Sequence, residues 1–100
     1  MDTPDLEKGI ARVNTAHVTV LYFARLREAL GRDAEVLSLP AEVKTAGALR
    51  DLLRARGGAW EVELAAAKPV RIAVNQSMAS LHSPIAAGDE IAFFPPVTGG

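Results

Sequence analysis

The fold of this 100-residue chain is decided by the stretch Val18-Thr19-Val20-Leu21-Tyr22-Phe23. Its residues are almost continuously apolar and rich in β-branched and aromatic types, which is typical of a strand buried on both faces. The stretch from Glu90 to Phe94 has the same character. If the two strands lie side by side at the sheet centre, as we predict, the C-terminus leaves from the middle of the sheet.

The principal helix is predicted between these two strands. It begins at Thr45, whose hydroxyl suits an N-cap, and it ends at Gly57-Gly58. An apolar face repeats at three and four residues. Its members are Leu49, Leu52 and Leu53. The charged residues of the same segment, which we expect to face water, are Arg50, Asp51 and Arg54.

Four further segments complete the predicted architecture. Strands are expected at Glu35–Leu39 and at Val70–Val74, the latter followed by a turn at Asn75-Gln76. Short helical segments are expected at Ala24–Leu30 and Ala59–Ala67. The order strand, strand, helix, strand, strand predicts an α+β fold with a sheet packed on one main helix.

The chain is long enough for one domain and leaves no room for a second core. We predict an extension at residues 1–17, loosely attached or disordered, a folded domain at residues 18–94 and an extended tail at residues 95–100. The extension is charged and has no apolar stretch, so it resembles neither a signal peptide nor a membrane span. The chain has no cysteine, which excludes disulfides and thiolate sites and fits a cytoplasmic protein.

Charge and motif content exclude several classes of function. Eleven Lys and Arg balance twelve Asp and Glu, for a net charge of -1, so the basic footprint of a nucleic-acid-binding protein is missing. His17 and His82 are far apart in the sequence and do not show the spacing of metal ligands, so we expect them at surface or turn positions. No serine lies in a nucleophile elbow, and Gly57-Gly58 lacks the Lys and Ser/Thr of a phosphate loop. Trp60 lies one helical turn before Leu64 and is expected to pack inside the domain.

The C-terminal run Pro95-Pro96-Val97-Thr98-Gly99-Gly100 is where chemistry is expected. The two prolines fix φ and project the chain, whereas the two glycines have no Cβ and leave a slim backbone. An α-carboxylate becomes an acyl donor only after activation, for example as an acyl-adenylate, and glycine leaves that carbonyl unhindered. The alternative is a frayed end without a role. With glycine at about 7% of residues, chance gives two terminal glycines in roughly 0.5% of chains, which favours a reactive tail.

Phe94 stands at the root of this tail. Strand alternation places Ile91 and Phe93 on one face of the last strand, and Ala92 and Phe94 on the other. If the core takes the first pair, Phe94 is an exposed aromatic residue beside the tail. Alternatively, the domain itself covers Phe94, because central strands are covered on both faces in many sheets. The alternation alone leaves both possibilities open.

Three segments resemble the ubiquitin-like β-grasp sulfur carriers, the family of the small, sulfur-carrying subunit of molybdopterin synthase. The segments are residues 20–28, Val74-Asn75-Gln76 and residues 88–100. The resemblance covers residues 18–100, and the ending Phe-Phe-Pro-Pro-Val-x-Gly-Gly is its specific part. It implies a β-grasp fold with a mixed sheet of four to five strands on one main helix.

The resemblance also implies a role for the tail. An ATP-dependent, E1-like enzyme would adenylate Gly100, and sulfur would replace AMP to leave a thiocarboxylate. This group would donate sulfur to cyclic pyranopterin monophosphate, building molybdopterin for the molybdenum cofactor. Residues expected to contact the partner are Phe94, Pro95, Pro96, Val97, Thr98 and Gly99.

Further implications concern partners and alternatives. The chain would bind no metal or cofactor, since ATP belongs to the activating enzyme. It would be a non-catalytic subunit of a heterotetramer whose large subunit holds the catalytic residues. Other functions compatible with such a tail are a ubiquitin-like protein modifier, a carrier in a related pathway such as thiamine biosynthesis, and a plain interaction module.

Overall fold

A computed structural model describes residues 16–96, which form one five-stranded sheet with three helices. The strands are β1 (His17–Tyr22), β2 (Ala34–Ser38), β3 (Arg71–Val74), β4 (Ser77–Ala79) and β5 (Glu90–Phe94). The helices are α1 (Ala24–Leu30), α2 (Ala46–Arg54) and α3 (Ala59–Glu63). The predicted α+β class with one mixed sheet is confirmed.

The sheet has the order β2-β1-β5-β3-β4, so the first and last strands are neighbours at its centre, as predicted. β1 and β5 are parallel, with Val20 opposite Ile91 and Tyr22 opposite Phe93. The other strand pairs are antiparallel. A parallel pair needs a long crossover, and here the chain from α1 to β4 provides it.

β4 is a strand that the sequence pattern did not indicate. Asn75 and Gln76 both have positive φ, 51° and 70°, which is the geometry of a tight two-residue hairpin whose twist matches the flanking strands. The chain therefore returns at once, and Met78 lies opposite Ala73. A segment of three residues is too short for its alternation of apolar and polar side chains to predict a strand.

The core lies between one face of the sheet and the helices. Leu49 and Leu53 of α2 are fully buried, as are Val20, Ile91 and Phe93 of the sheet. The predicted cap of α2 is present, since the hydroxyl of Thr45 accepts a 3.1 Å hydrogen bond from the amide of Ala48. Burial of this apolar stripe, at about 25 cal/mol per Å² removed from water, fixes α2 against the sheet.

Arg50 corrects the prediction that the charged residues of α2 face water. Its side chain is buried, and its Nε donates to the carbonyl of Leu64 at 2.9 Å. Its Nη2 donates to the carbonyls of Ala65 and Lys68, at 2.5 and 3.0 Å. The guanidinium thus holds the segment between α3 and β3, whose carbonyls replace the water that the charge would otherwise need.

Candidate functional site at the root of the tail

The structure places the first three predicted site residues at the end of β5. Phe94 is the last residue of that strand, and Pro95 and Pro96 follow it. Val97, Thr98, Gly99 and Gly100 lie outside the described residues. Because β5 lies between β1 and β3, the chain leaves the domain from the middle of the sheet.

Phe94 lies on the face of the sheet that turns away from the core. Ile91 and Phe93 are fully buried, so the core takes the first of the two alternating pairs. Phe94 is half-buried, as are Pro95 and Pro96. Phe94 is therefore neither freely exposed nor fully covered, and part of its ring remains available to a partner.

On the face that carries Phe94, one row of apolar residues crosses four strands, and the exposed Arg71 lies on the same face opposite Phe94. Leu21 lies opposite Ala92, Ala92 opposite Ala73, and Ala73 opposite Met78. We call these four residues and Phe94 the open face. The side chain of Met78 is 58% exposed. A partly exposed apolar surface of this kind, next to the strand end that leads into the tail, marks an interaction site more often than an unused surface.

Phe23 was expected in a strand buried on both faces, and this expectation is wrong. Only one face of β1 is buried, and Phe23, just after the strand, is 44% exposed. Its amide donates to the carbonyl of Phe93 at 3.2 Å, so it lies at the same end of the sheet as the tail. Ala24 then turns the chain into α1 with a φ of 54°, a left-handed conformation that is uncommon without glycine. The sequence pattern did not single out Phe23 because exposed and buried aromatic residues look alike in an apolar run.

A cavity of about 330 Å³ lies beside the two prolines. We call it the tail-root pocket. Arg25 and Lys68 both approach Glu63 in its wall: the Oε1 atom of Glu63 lies 3.3 Å from Nη2 of Arg25 and 3.9 Å from Nζ of Lys68. Its lining residues are Arg25, Leu26, Glu63, Lys68, Pro69, Val70, Pro95 and Pro96.

Behind the root of the tail, an aromatic and ionic cluster supports the strand ends. The ring of Tyr22 stacks on Phe93 at 6.4 Å between centroids and meets the edge of Trp60 at 5.4 Å. The guanidinium of Arg56 lies 4.4 Å from the centre of the Trp60 ring, within cation–π range. Trp60 packs against the core, as predicted. These contacts fix the end of β5 from the core side.

Glu35 joins the same cluster through its carboxylate. It accepts from the hydroxyl of Tyr22 at 2.7 Å, from Arg56 at 2.8 and 3.0 Å, and from Arg32 at 3.0 Å. Burial alone would raise the pKa of Glu35, but the hydrogen bonds from Arg56 and Tyr22 outweigh it and hold the pKa below its ordinary value. Burial and the neighbouring carboxylate raise the pKa of Tyr22. Glu35 is therefore ionised and Tyr22 neutral near pH 7.

Within residues 16–96, no three His, Asp or Glu side chains come together in a way that could hold a metal ion. Over the same residues, no helix has the length and apolar character needed to cross a membrane. His82 is exposed. The groups that the described structure does bring together are the open face, the two prolines and the tail-root pocket.

Comparison with known proteins places this arrangement in a family. The model of the ThiS family matches residues 20–100. The chain is 45% identical over 83 residues to the molybdopterin synthase sulfur carrier subunit of Haemophilus influenzae, covering 83% of this chain and 99% of that protein.

Solved structures share the fold. The small archaeal modifier protein 1 of H. volcanii superposes with a TM-score of 0.68 at 30% identity, covering 83% of this chain and 100% of that chain. A chain in the protein–protein complex of subunits 1 and 2 of the molybdopterin-converting factor from Helicobacter pylori gives a TM-score of 0.56 at 22% identity. The match covers 84% of this chain and 99% of that chain. The latter likeness shows the fold alone. The predicted ubiquitin-like β-grasp is confirmed, and the chain belongs to the ThiS family.

Proposed function

We propose that this protein is the sulfur carrier subunit of a molybdopterin synthase and that Gly100 is its acyl site. The observation that carries the proposal is the 45% identity to a protein of that name, which extends over 99% of that protein's length. The position of the tail supports it, because β5 delivers Pro95 and Pro96 from the centre of the sheet. A projecting terminus is what a carrier needs if a second protein is to enclose its end.

The chemistry proposed for the tail begins with the carboxylate of Gly100. An ATP-dependent, E1-like enzyme holds the ATP and transfers AMP to that carboxylate, with pyrophosphate as the leaving group. The terminal sulfur of a sulfurtransferase persulfide then attacks the carbonyl carbon and AMP leaves; a thiol reductant cleaves the resulting acyl disulfide and leaves a thiocarboxylate. The thiocarboxylate sulfur bonds to cyclic pyranopterin monophosphate, and water then cleaves its bond to the acyl carbon and restores the Gly100 carboxylate. Two such donations build one dithiolene. The chain itself binds no cofactor in this scheme.

In this scheme, the residues of this chain present the tail to the partner, and they do not carry out the proton transfers of the sulfur-transfer reaction. Pro95 and Pro96 restrict the backbone where it leaves the sheet, which lowers the entropy lost when the tail is ordered in a partner's channel. The open face supplies apolar surface next to that exit. We propose the large subunit of the synthase as the partner, in a heterotetramer, with the catalytic residues on the large subunit. The H. pylori structure is a complex of subunits 1 and 2 of the molybdopterin-converting factor.

The cytoplasm is the proposed location. Its support is the absence of cysteine from the sequence, which fits a reducing compartment.

Removing Gly100 tests the acyl site. The shortened chain should yield no thiocarboxylate by intact-mass measurement and no molybdopterin in a reconstituted synthase. Its melting temperature should stay nearly unchanged, because chain termini contribute little stability. Deletion of Asp2 at the other end of the chain is the matched control and should leave sulfur transfer intact. A chain without Gly100 that still transfers sulfur would disprove the proposal.

A second candidate function is protein modification through the same glycine. The observation that favours it is the 30% identity to the small archaeal modifier protein 1, against 45% to the carrier. Mass analysis of the protein from its native cells separates the two functions. Exchange of one oxygen for sulfur at Gly100 supports the carrier, and conjugates linked to lysines support the modifier. An unmodified carboxylate under all conditions would leave only an interaction module.

A further inference from the structure

The tail-root pocket is cationic in a chain whose net charge is -1. Its lining contains Arg25 and Lys68 but only one carboxylate, Glu63. The same Oε1 atom of Glu63 faces both cations, at 3.3 and 3.9 Å. One negative charge therefore balances two positive charges at this place.

The two cations remain accessible to a further anion. The side chain of Arg25 is 64% exposed, and that of Lys68 is 34% exposed. Ion pairs this close to solvent stabilise a protein by only about 0–1 kcal/mol. The contacts with Glu63 are thus weak enough for a second carboxylate to share or replace them.

A third cation lies across the strand from Phe94. Arg71 of β3 is opposite Phe94 of β5, is exposed, and makes no ion pair with any carboxylate of residues 16–96. The exit of the tail is therefore flanked by cations on two sides.

The rest of the pocket wall is apolar. Leu26 and Val70 lie in it together with three prolines. Two of those prolines, Pro95 and Pro96, belong to the tail itself, so a protein that encloses the tail from its root also covers the pocket. An apolar hollow with cations at its edge fits a peptide segment in which an apolar side chain adjoins a carboxylate.

We propose that the tail-root pocket binds an acidic segment of the large subunit, with the carboxylate between Arg25 and Lys68 and the neighbouring apolar side chain against Pro95 and Pro96. The proposal rests on the proposed function, since the large subunit is the protein that receives the tail. Arg71 adds attraction on the far side of Phe94. The pocket fixes the direction in which the tail enters its partner.

Charge reversal tests the proposal. The full-length double variant Arg25→Glu/Lys68→Glu and the control Lys44→Glu/Arg54→Glu change the net charge equally. Lys44 is exposed and lies outside the pocket, and Arg54 has one ion pair, with Asp51, just as Arg25 has one with Glu63. Dissociation constants for the purified large subunit are measured by calorimetry at low and high salt, after circular dichroism has shown each variant to be folded.

The pocket variant should bind about tenfold more weakly than the control at low salt, and the difference should shrink as salt rises. Glu63→Gln removes the competing carboxylate and should leave the chain folded, so this variant should bind the large subunit more tightly than wild type does. Equal effects of the pocket and control variants, or weaker binding by Glu63→Gln, would overturn the proposal. If the pocket variant does not fold, the sign of the Glu63→Gln effect decides alone.

The remaining outcomes concern other occupants and the proposed function itself. Salt-sensitive dimers of the wild-type chain in sedimentation, lost in the pocket variant, would assign the pocket to a second copy and overturn the proposal. Neutralising Asp2, Asp5 and Glu7 tests the chain's own N-terminus as the occupant. If this change abolishes the difference in affinity between the pocket variant and the control variant, the pocket is assigned to the N-terminus and the proposal is overturned. A wild-type chain that fails to bind the large subunit overturns the proposed function and this inference together, whereas binding without a pocket effect overturns this inference alone.

Discussion

The phenolic hydroxyl of Tyr22 donates a 2.7 Å hydrogen bond to Oε2 of Glu35. The bond joins the end of β1 to the start of β2, and Arg56 reaches both oxygens of the same carboxylate from the segment after α2. A bidentate guanidinium and a phenol together satisfy a carboxylate that is largely removed from water. The ring of Tyr22 in turn stacks on Phe93, one residue before Phe94.

Acid should therefore destabilise the protein partly through Glu35. Its pKa in the folded protein is below the ordinary value of 4.5, so the folded state favours the ionised form. The stabilisation is fully present above the pKa of the unfolded chain and is lost as the pH falls through the folded pKa. In Glu35→Gln, the free energy of unfolding should be lower at neutral pH and should fall less than that of wild type between pH 4.5 and more acidic values.

Denaturant titrations that follow the fluorescence of the single tryptophan, Trp60, measure this at each pH. Glu42→Gln is the control, because Glu42 is exposed and has no ion pair within residues 16–96. Identical pH profiles for Glu35→Gln and wild type would show that Glu35 does not contribute to the acid response.

Removal of the Arg50 guanidinium should be among the most damaging single changes outside the apolar core. Arg50→Ala would take the guanidinium donors away from the carbonyls of Leu64, Ala65 and Lys68. The last two keep a backbone donor each, the amides of Lys68 and Val70, so the main loss falls on the carbonyl of Leu64. Hydrogen bonds from a charged group contribute about 1.5–3 kcal/mol, and buried groups left unsatisfied add to the loss. We expect the free energy of unfolding to fall by about 3 kcal/mol.

Two further variants serve as comparisons for the loss of stability in Arg50→Ala. Arg50→Lys keeps the charge but lacks the planar fork, so it should recover only part of the stability. Arg54→Ala removes a guanidinium whose ion pair is with Asp51 on the same helix, and it should change stability by less than about 0.5 kcal/mol. Equal losses for Arg50→Ala and Arg54→Ala would contradict the role given to Arg50.

Arg50 also shows why part of the fold could be predicted from the sequence and part could not. The central position of β1 and β5 follows from local composition, since both runs are apolar enough to be buried. The same is true of the Thr45 cap, whose partner is three residues away. The burial of Arg50 depends on carbonyls 14 to 18 residues along the chain, and helical periodicity gives no information about where that segment returns.

The candidate site likewise has one part that the sequence predicts and one part that it does not. The tail and Phe94 are visible in the sequence because prolines, glycines and strand alternation act locally. The tail-root pocket is not, because Arg25 and Glu63 are 38 residues apart and meet only after α1 and α3 pack. Exposed Phe23 is missed for a related reason: whether an apolar residue is covered depends on the layer above it.

Gly47 should resist replacement by alanine although it lies within α2. Alanine is favoured over glycine by about 1 kcal/mol inside helices. A Cβ at residue 47, however, would lie 2.9 Å from the backbone oxygen of Leu81 and 3.2 Å from its Cβ. The same oxygen accepts a 2.8 Å hydrogen bond from the amide of Gly47, so the chain cannot retreat without losing that bond.

We expect Gly47→Ala to lower the free energy of unfolding by about 1–2 kcal/mol, despite the gain in helix propensity. The neighbouring change Ala48→Gly should also destabilise, by about 1 kcal/mol, through helix propensity together with loss of a methyl group packed against the core. Thermal unfolding followed by circular dichroism compares the two. A stabilised Gly47→Ala would show that Leu81 can move aside at little cost.

Truncation of Phe94 should weaken binding to the large subunit more than it destabilises the domain. Its ring is half-buried on the open face, directly before the two prolines, and its backbone pairs with β3 whatever the side chain is. Truncation of a hot-spot residue near the centre of an interface costs about 2 kcal/mol or more of binding free energy. Phe94→Ala should therefore raise the dissociation constant at least tenfold and lower the free energy of unfolding by only about 1 kcal/mol.

Val36→Ala is the matched control, because Val36 of β2 is 67% exposed but lies at the sheet edge, two strands from β5. Calorimetric titrations of the large subunit with both variants give the comparison. If both bind as tightly as wild type, the partner contacts the tail beyond Pro96 without using Phe94. If both weaken equally, the interface spans the sheet and is not centred on the root of the tail.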